Sequence, residues 1–253
     1  MFDFFKKRRR RRLCAQPFPD TWLAHIRRNA PLCKRVPEAL WPELLALTRI
    51  FVAEKNFEGC GGLEMTNEVR VTIAAQACLL LLGRETDVFP QVQSVLVYST
   101  TFVPRMVEEY DDGVVEEYDD PLDGEAWGTG AVILAWDDVL HAAEDLKDGY
   151  NVVLHEFAHQ LDLEIGDADG TPRLGPGVDP QAWADTLSRE YQRHCRDVDR
   201  RRHTLLDEYG ADDPAEFFAV ATENYLVRPQ ALKRRHPDLY AQLRAYFGWE
   251  PES

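Results

Sequence analysis

The apolar positions along the chain predict helices at both ends of the sequence and a short strand-like region between them. From Pro37 to Phe57, Leu40, Leu44, Leu47 and Phe51 recur at helical spacing, and Pro37 suits a first turn. Asn67 to Leu82 is apolar on most sides and reads as a buried helix. Glu58 to Gly62, between them, reads as a turn or loop. Ser94–Tyr98 and Ala131–Trp136 are short, rich in β-branched residues and bounded by breakers, which predicts strands. Val107–Gly113 and Val115–Pro121 echo each other as Val-Glu-Glu-Tyr-Asp-Asp, and read as a polar hairpin or a solvated acidic loop.

The second half is predicted to be helical. Gly149 to Glu164 forms one helix, with Gly166 as a stop signal, and Asp167 to Asp179 is a Gly- and Pro-rich loop. Asp179 and Pro180 open an amphipathic helix through Trp183, Leu187, Tyr191, Cys195 and Val198. Asp213-Pro214 starts another running to about Leu226, and Pro237 to Phe247 is the last.

Composition narrows the class. A chain of 253 residues can bury a sizeable core, and no linker divides residues 21–253, which read as a single domain. The net charge of −15 argues against direct nucleic-acid binding, and no apolar run is long enough for a transmembrane segment. Residues 1–20 are the exception. Phe2, Phe4 and Phe5 precede seven consecutive cations, Lys6 to Arg12, with no apolar stretch to make a signal peptide. This segment reads as a flexible, solvated tail, or alternatively as an electrostatic tether to anionic lipid or an acidic partner. Five scattered cysteines form no Cys-x-x-Cys pair, which points to a reducing, cytoplasmic setting.

The chemistry concentrates in His155-Glu156-Phe157-Ala158-His159. One helical turn separates the two histidines, so both imidazoles can reach one Zn²⁺ ion. Glu156 projects near the position of a metal-bound water and is the candidate general base. Two histidines do not complete such a site. No histidine follows until His194, so a carboxylate is the expected third ligand. Glu216 and Glu223 share a face of the helix opened by Asp213, about 10 Å apart, so only one is expected on the metal. Spacing leaves the choice between them open, because Glu216 also fits a capping box with Asp213. Asp162 either orients an imidazole or sits at the solvent end of its helix, and Glu223 could orient one similarly. His141, His194, His203 and His236 read as structural or surface residues.

Asn151-Val-Val-Leu-His-Glu-Phe-Ala-His-Gln-Leu-Asp162 resembles the signature of the Mlc titration factor A (MtfA) peptidases. Phe57-Glu-Gly, Thr72–Cys78, Gly124–Trp127, Val132-Ile-Leu and Asp213–Val220 resemble further segments of that family in order. The family's core is similar to that of anthrax-toxin lethal factor. The resemblance implies an α+β fold: a mostly helical, gluzincin-like core with a small β-sheet beside the active-site helix. It implies Glu216 as the third zinc ligand and Tyr209, seven residues before it, as a hydrogen-bond donor to the oxyanion. It further implies aminopeptidase-like cleavage of short peptides and binding of an Mlc-like transcriptional repressor. A non-catalytic protein that acts by sequestering a regulator is the alternative. Ala131–Trp136 is expected to be an edge strand that receives an extended peptide.

Overall fold

The computed structural model describes all residues except 1, 85, 101–104, 110–114, 120–129, 145, 167–168 and 253. Among the described residues it is a mostly helical α+β fold with a small parallel sheet.

The buried helix α4 (Asn67–Leu79) lies at the centre. Its N-cap Thr66 accepts a hydrogen bond from Val69 N, and every residue from Val71 to Leu79 is buried. It packs against α2 (Asp20–Asn29), α3 (Trp41–Glu54) and α6 (Val152–Asp162). The last helix of these, α6, also packs against α8 (Pro214–Val227). Every residue of α8 after Pro214 is buried, as its all-round apolar sequence requires. The outer helices are α5 (Trp136–Glu144), α7 (Pro180–Asp199), α9 (Pro229–Arg235) and α10 (Pro237–Phe247).

The sheet runs in the order β1 (Asn56–Gly59), β2 (Ser94–Tyr98), β5 (Ala131–Ala135), all parallel. Buried and partly exposed positions alternate along β2 and β5, with Val95, Val97, Val132 and Leu134 facing the core. As an outer strand among the described residues, β5 packs against α6. The backbones of β3 (Arg105–Glu109) and β4 (Val115–Asp119) pair antiparallel, so the acidic echo forms a two-stranded ribbon. Its connection and the Gly124–Trp127 segment lie outside the described residues.

Several expectations need correction. Glu58 and Gly59 belong to β1 rather than a loop, because Asn56–Gly59 finds a hydrogen-bonding partner in β2 that local sequence does not reveal. The helix read from Pro37 is a 3₁₀ turn at Glu38–Leu40 followed by α3. The largest difference is the basic amino terminus, which is a helix, α1 (Phe2–Cys14), docked on α3. Seven adjacent cations repel one another along a helix, but carboxylates and carbonyls from distant segments accept those on one face. Arg10 makes a two-pronged contact to Glu54, with Nε to Oε1 at 2.9 Å and Nη2 to Oε2 at 2.5 Å. Arg10 and Lys6 both meet Asp87, and Arg9 donates to Ala53 O. Arg49 closes the other end by donating to Leu13 O and Pro17 O.

The α1 contacts carry a pH signature. Burial pushes the Asp87 carboxyl up, but Lys6, the Val88 N–H and Arg10 outweigh it and hold the group at about 2, below its ordinary 3.8. A depressed carboxyl stabilises the docked form fully above its unfolded value and loses that contribution as pH falls through its folded value. Protection of α1 amides from hydrogen exchange is therefore expected to be constant above pH ~4 and to decline between pH ~4 and ~2. Arg10→Ala should weaken docking by about 1–3 kcal/mol at neutral pH, read as faster exchange confined to α1.

Candidate metal centre

Helix α6 is fixed at its amino end by one side chain with several partners. Asn151 is the N-cap: its Oδ1 accepts from Leu154 N at 2.9 Å. Its Nδ2 donates to Gln76 Oε1 on α4 at 2.8 Å, and its backbone N–H donates to Glu223 on α8. A single residue thus ties together the three helices around the site. Just upstream, Gly149 adopts φ +88°, and a Cβ there would meet the Arg228 guanidinium at 2.4 Å. That guanidinium joins Lys147 O, Leu205 O and Asn224, holding the entry to α6 against the end of α8.

The opposite face of α6 is anchored by aromatic packing. Phe157 lies 4.7 Å from the Phe89 ring and 5.5 Å from that of Phe51. With Phe157 turned into this cluster, His155 and His159 face α8. Their Nε2 atoms are 3.2 Å apart. Glu216 Oε2 is 2.9 Å from His155 Nε2, and Glu216 Oε1 is 3.4 Å from His159 Nε2. One ligand atom from each of these three buried residues lies within 4.8 Å of the other two. Asp213 caps α8 through Ala215 N and Glu216 N, so Glu216's side chain is free to turn toward the histidines instead of closing a capping box.

The set fits a small divalent cation. A tetrahedral ion with bonds of about 2.0–2.1 Å holds its ligands about 3.3–3.4 Å apart, close to the spacings of this trio. Burial also makes charge balance matter. Glu216 and Glu223 are both buried, and two imidazoles cannot readily both be charged at contact distance. Without a cation, burial would lower the His155 pKa, but Glu216 and Glu223 outweigh it and hold the ring well above its ordinary value. His159 is lowered by burial and by His155, with Glu216 opposing. Glu216 stays at about 2 despite burial, because both imidazoles contact it. A divalent ion would balance the two carboxylates with both rings neutral.

Glu223 resolves the remaining ambiguity in an unexpected way. Its Oε1 is 2.8 Å from His155 Nδ1, on the far side of the ring from Glu216. The two glutamates therefore occupy opposite nitrogens of one imidazole, which accommodates their two-turn separation on α8. A carboxylate on Nδ1 fixes the tautomer that leaves the Nε2 lone pair for a metal. Sequence reading raised this role for Glu223 without assigning it, and missed Asn151 and Gln76. The signal available was a lone glutamine within the apolar run of α4. Asp162 does not reach an imidazole; its Oδ2 accepts from Gly170 N at 2.6 Å. Gly170 has φ +79°, and a Cβ there would strike Pro214 O, so Asp162 holds the loop against the start of α8.

Glu156 is half-buried beside His155. Tyr209 is 38% exposed, with its ring 5.9 Å from that of His155. It stands in a 3₁₀ turn, Glu208–Ala211, capped by Asp207 and backed by His194, which contacts Asp207 O at 2.8 Å. His194 thus has a structural role, and His236 pairs with Glu190 at 2.7 Å; His141 and His203 are exposed.

A buried His-His-Glu trio on two packed helices beside a small sheet is a candidate metal centre, and the sequence comparison supplies the class. The chain belongs to the family described as glucose-regulated metallo-peptidase M90, whose profile matches residues 4–248. An uncharacterised protein of Synechocystis sp. is 38% identical over 244 residues, spanning 96% of this chain and 89% of its own length. Mlc titration factor A of Salmonella agona is 30% identical and that of Escherichia fergusonii 29%, each over 82% of this chain and 78% of its own length.

The Glu223 contact is directly testable. Glu223→Gln keeps the shape but lowers the basicity passed to His155, and is expected to weaken metal affinity about 10–100-fold. Competition with a chromophoric chelator measures this, with circular dichroism confirming the fold. Unchanged affinity in the folded variant would remove the assigned role.

Proposed function

We propose that the protein is a zinc-dependent peptidase that hydrolyses short peptides in an aminopeptidase-like manner. The observation that carries this reading is the convergence of His155 Nε2, His159 Nε2 and Glu216 at 2.9–3.4 Å. Two imidazole nitrogens and one carboxylate suit zinc, whereas magnesium and calcium favour all-oxygen sets. When bound there, zinc supplies Lewis-acid polarisation of a carbonyl and lowers the pKa of a bound water toward neutrality.

The remaining steps fall to side chains. Glu156, half-buried beside the ligands, accepts a proton from the attacking water and returns it to the leaving amine. Tyr209, partly exposed next to His155, donates its phenolic hydrogen to the oxygen that gains negative charge. Glu223 holds the His155 ring in register through Nδ1. The outer strand β5, packed against α6, aligns an extended substrate by backbone pairing.

The name Mlc titration factor A, carried by two of the relatives, together with the family resemblance drawn from the sequence, extends the proposal to an Mlc-like repressor as partner and to the cytoplasm as the setting. No described helix is long and apolar enough to cross a membrane.

Glu156→Gln separates catalysis from binding. Zinc content and repressor binding should persist, while hydrolysis of chromogenic aminoacyl and short peptide substrates should fall by about 10²–10⁴-fold. Wild-type turnover in this variant would overturn the catalytic assignment. Tyr209→Phe should lower kcat by about 10²-fold with little effect on KM, measured on the same substrates.

A further inference from the structure

The hydrolytic reading leaves α1 unused, and the packing of this helix divides its residues sharply. Lys6, Arg9, Arg10 and Leu13 fall on the side that meets α3 and the Asp87 segment. At about 100° per residue, Phe4, Phe5, Arg8, Arg11 and Arg12 fall on the other side, and all five are exposed. Phe4 and Phe5 are 66% and 58% exposed, and their rings pack edge to face at 5.9 Å. Among the described residues, Arg8, Arg11 and Arg12 form no ion pair. A shallow cleft of ≈ 400 Å³ lies between Phe5, Arg8, Arg9, Arg12, Leu13 and Gln16.

This face is out of keeping with the rest of the molecule. Seven of the chain's 29 Lys and Arg residues lie in residues 6–12, while the whole chain carries a net charge of −15. An acidic body would be repelled from an anionic surface, so contact must be confined to this cationic helix. Guanidinium groups suit phosphate oxygens, and exposed phenyl rings next to them suit the boundary between headgroups and acyl chains. The combination favours a bilayer surface over a nucleic-acid duplex, which would leave the Phe4 and Phe5 side chains in water.

We propose that the outer face of α1 docks the protein on the surface of an anionic phospholipid bilayer. The cations of α1 draw the helix to the headgroups, a lipid phosphate sits in the cleft beside Arg8 and Arg12, and Phe4 and Phe5 insert beside it. Attachment through these side chains is peripheral and reversible. The contacts of Lys6 to Asp87 and of Arg10 to Glu54 and Asp87 stay intact, so the helix remains part of the folded body.

The experiment is co-sedimentation of the full-length protein with vesicles of phosphatidylcholine alone or mixed equally with phosphatidylglycerol. The expected result is binding to the mixed vesicles only, weakening as salt is raised. Replacing the outward arginines together, R8A/R11A/R12A, should lower partitioning roughly 100-fold. F4S/F5S should lower it roughly tenfold while leaving its salt dependence in place. Neither variant touches Arg9 or Arg10, and unchanged exchange protection across α1 verifies that the helix stays docked. Equal binding to both vesicle types, no binding to the mixed vesicles at low salt, or unaltered binding by the arginine variant would each overturn the proposal. Binding to single-stranded RNA without binding to mixed vesicles would do so as well.

Discussion

One imidazole sets the geometry of the centre. His155 receives Glu216 on Nε2 and Glu223 on Nδ1, both from α8, at 2.9 and 2.8 Å. Burying two carboxylates costs several kcal/mol each unless they are paired and hydrogen-bonded, and here the pairing spans two helices. Positions of α6 and α8 are therefore coupled: a shift of either along its axis breaks one contact or the other. The backbone N–H of Asn151 gives Glu223 a second partner, so the carboxylate that steers His155 is itself held by the residue that starts its helix.

The surrounding fold keeps that alignment rigid. Phe51, Phe89 and Phe157 pack behind α6, so the histidine face cannot rotate without opening an aromatic core. Arg35 donates to Leu226 O and Val227 O, and Arg228 ties the same end of α8 to the segment before α6. At the other end, Gly170 is pressed against Pro214 and held by Asp162. Both ends of α8 are thus secured while Glu216 and Glu223 point inward. The catalytic reading depends on this stiffness, because a metal site must hold its ligands within a few tenths of an ångström.

Much of this was legible before the structure. Local signals recover β2, α8 and α10 to within a residue, because β-branched runs, Asp-Pro starts and helical periodicity are short-range features. The His-Glu-x-x-His spacing likewise exposes both histidines and Glu156 without tertiary information. What sequence leaves open depends on distant partners. Asn56–Gly59 becomes a strand only because Ser94–Val97 lies alongside it. The run Lys6 to Arg12 resembles a solvated tail until Glu54 and Asp87 are brought beside it. Glu216 and Glu223 are equivalent by spacing; the family resemblance favours Glu216, and the orientation of α8 against α6 puts Glu216 at Nε2 of His155 and Glu223 at its Nδ1.

The most direct test of the central claim is X-ray absorption at the zinc edge of the purified, zinc-loaded protein, compared with Glu216→Ala. The account expects one zinc per chain, scattered by two imidazoles and by oxygen at about 2.0–2.1 Å, with one oxygen scatterer replaced or the metal lost in the variant. Sulfur in the coordination shell, or an identical spectrum and zinc content in Glu216→Ala, would contradict it.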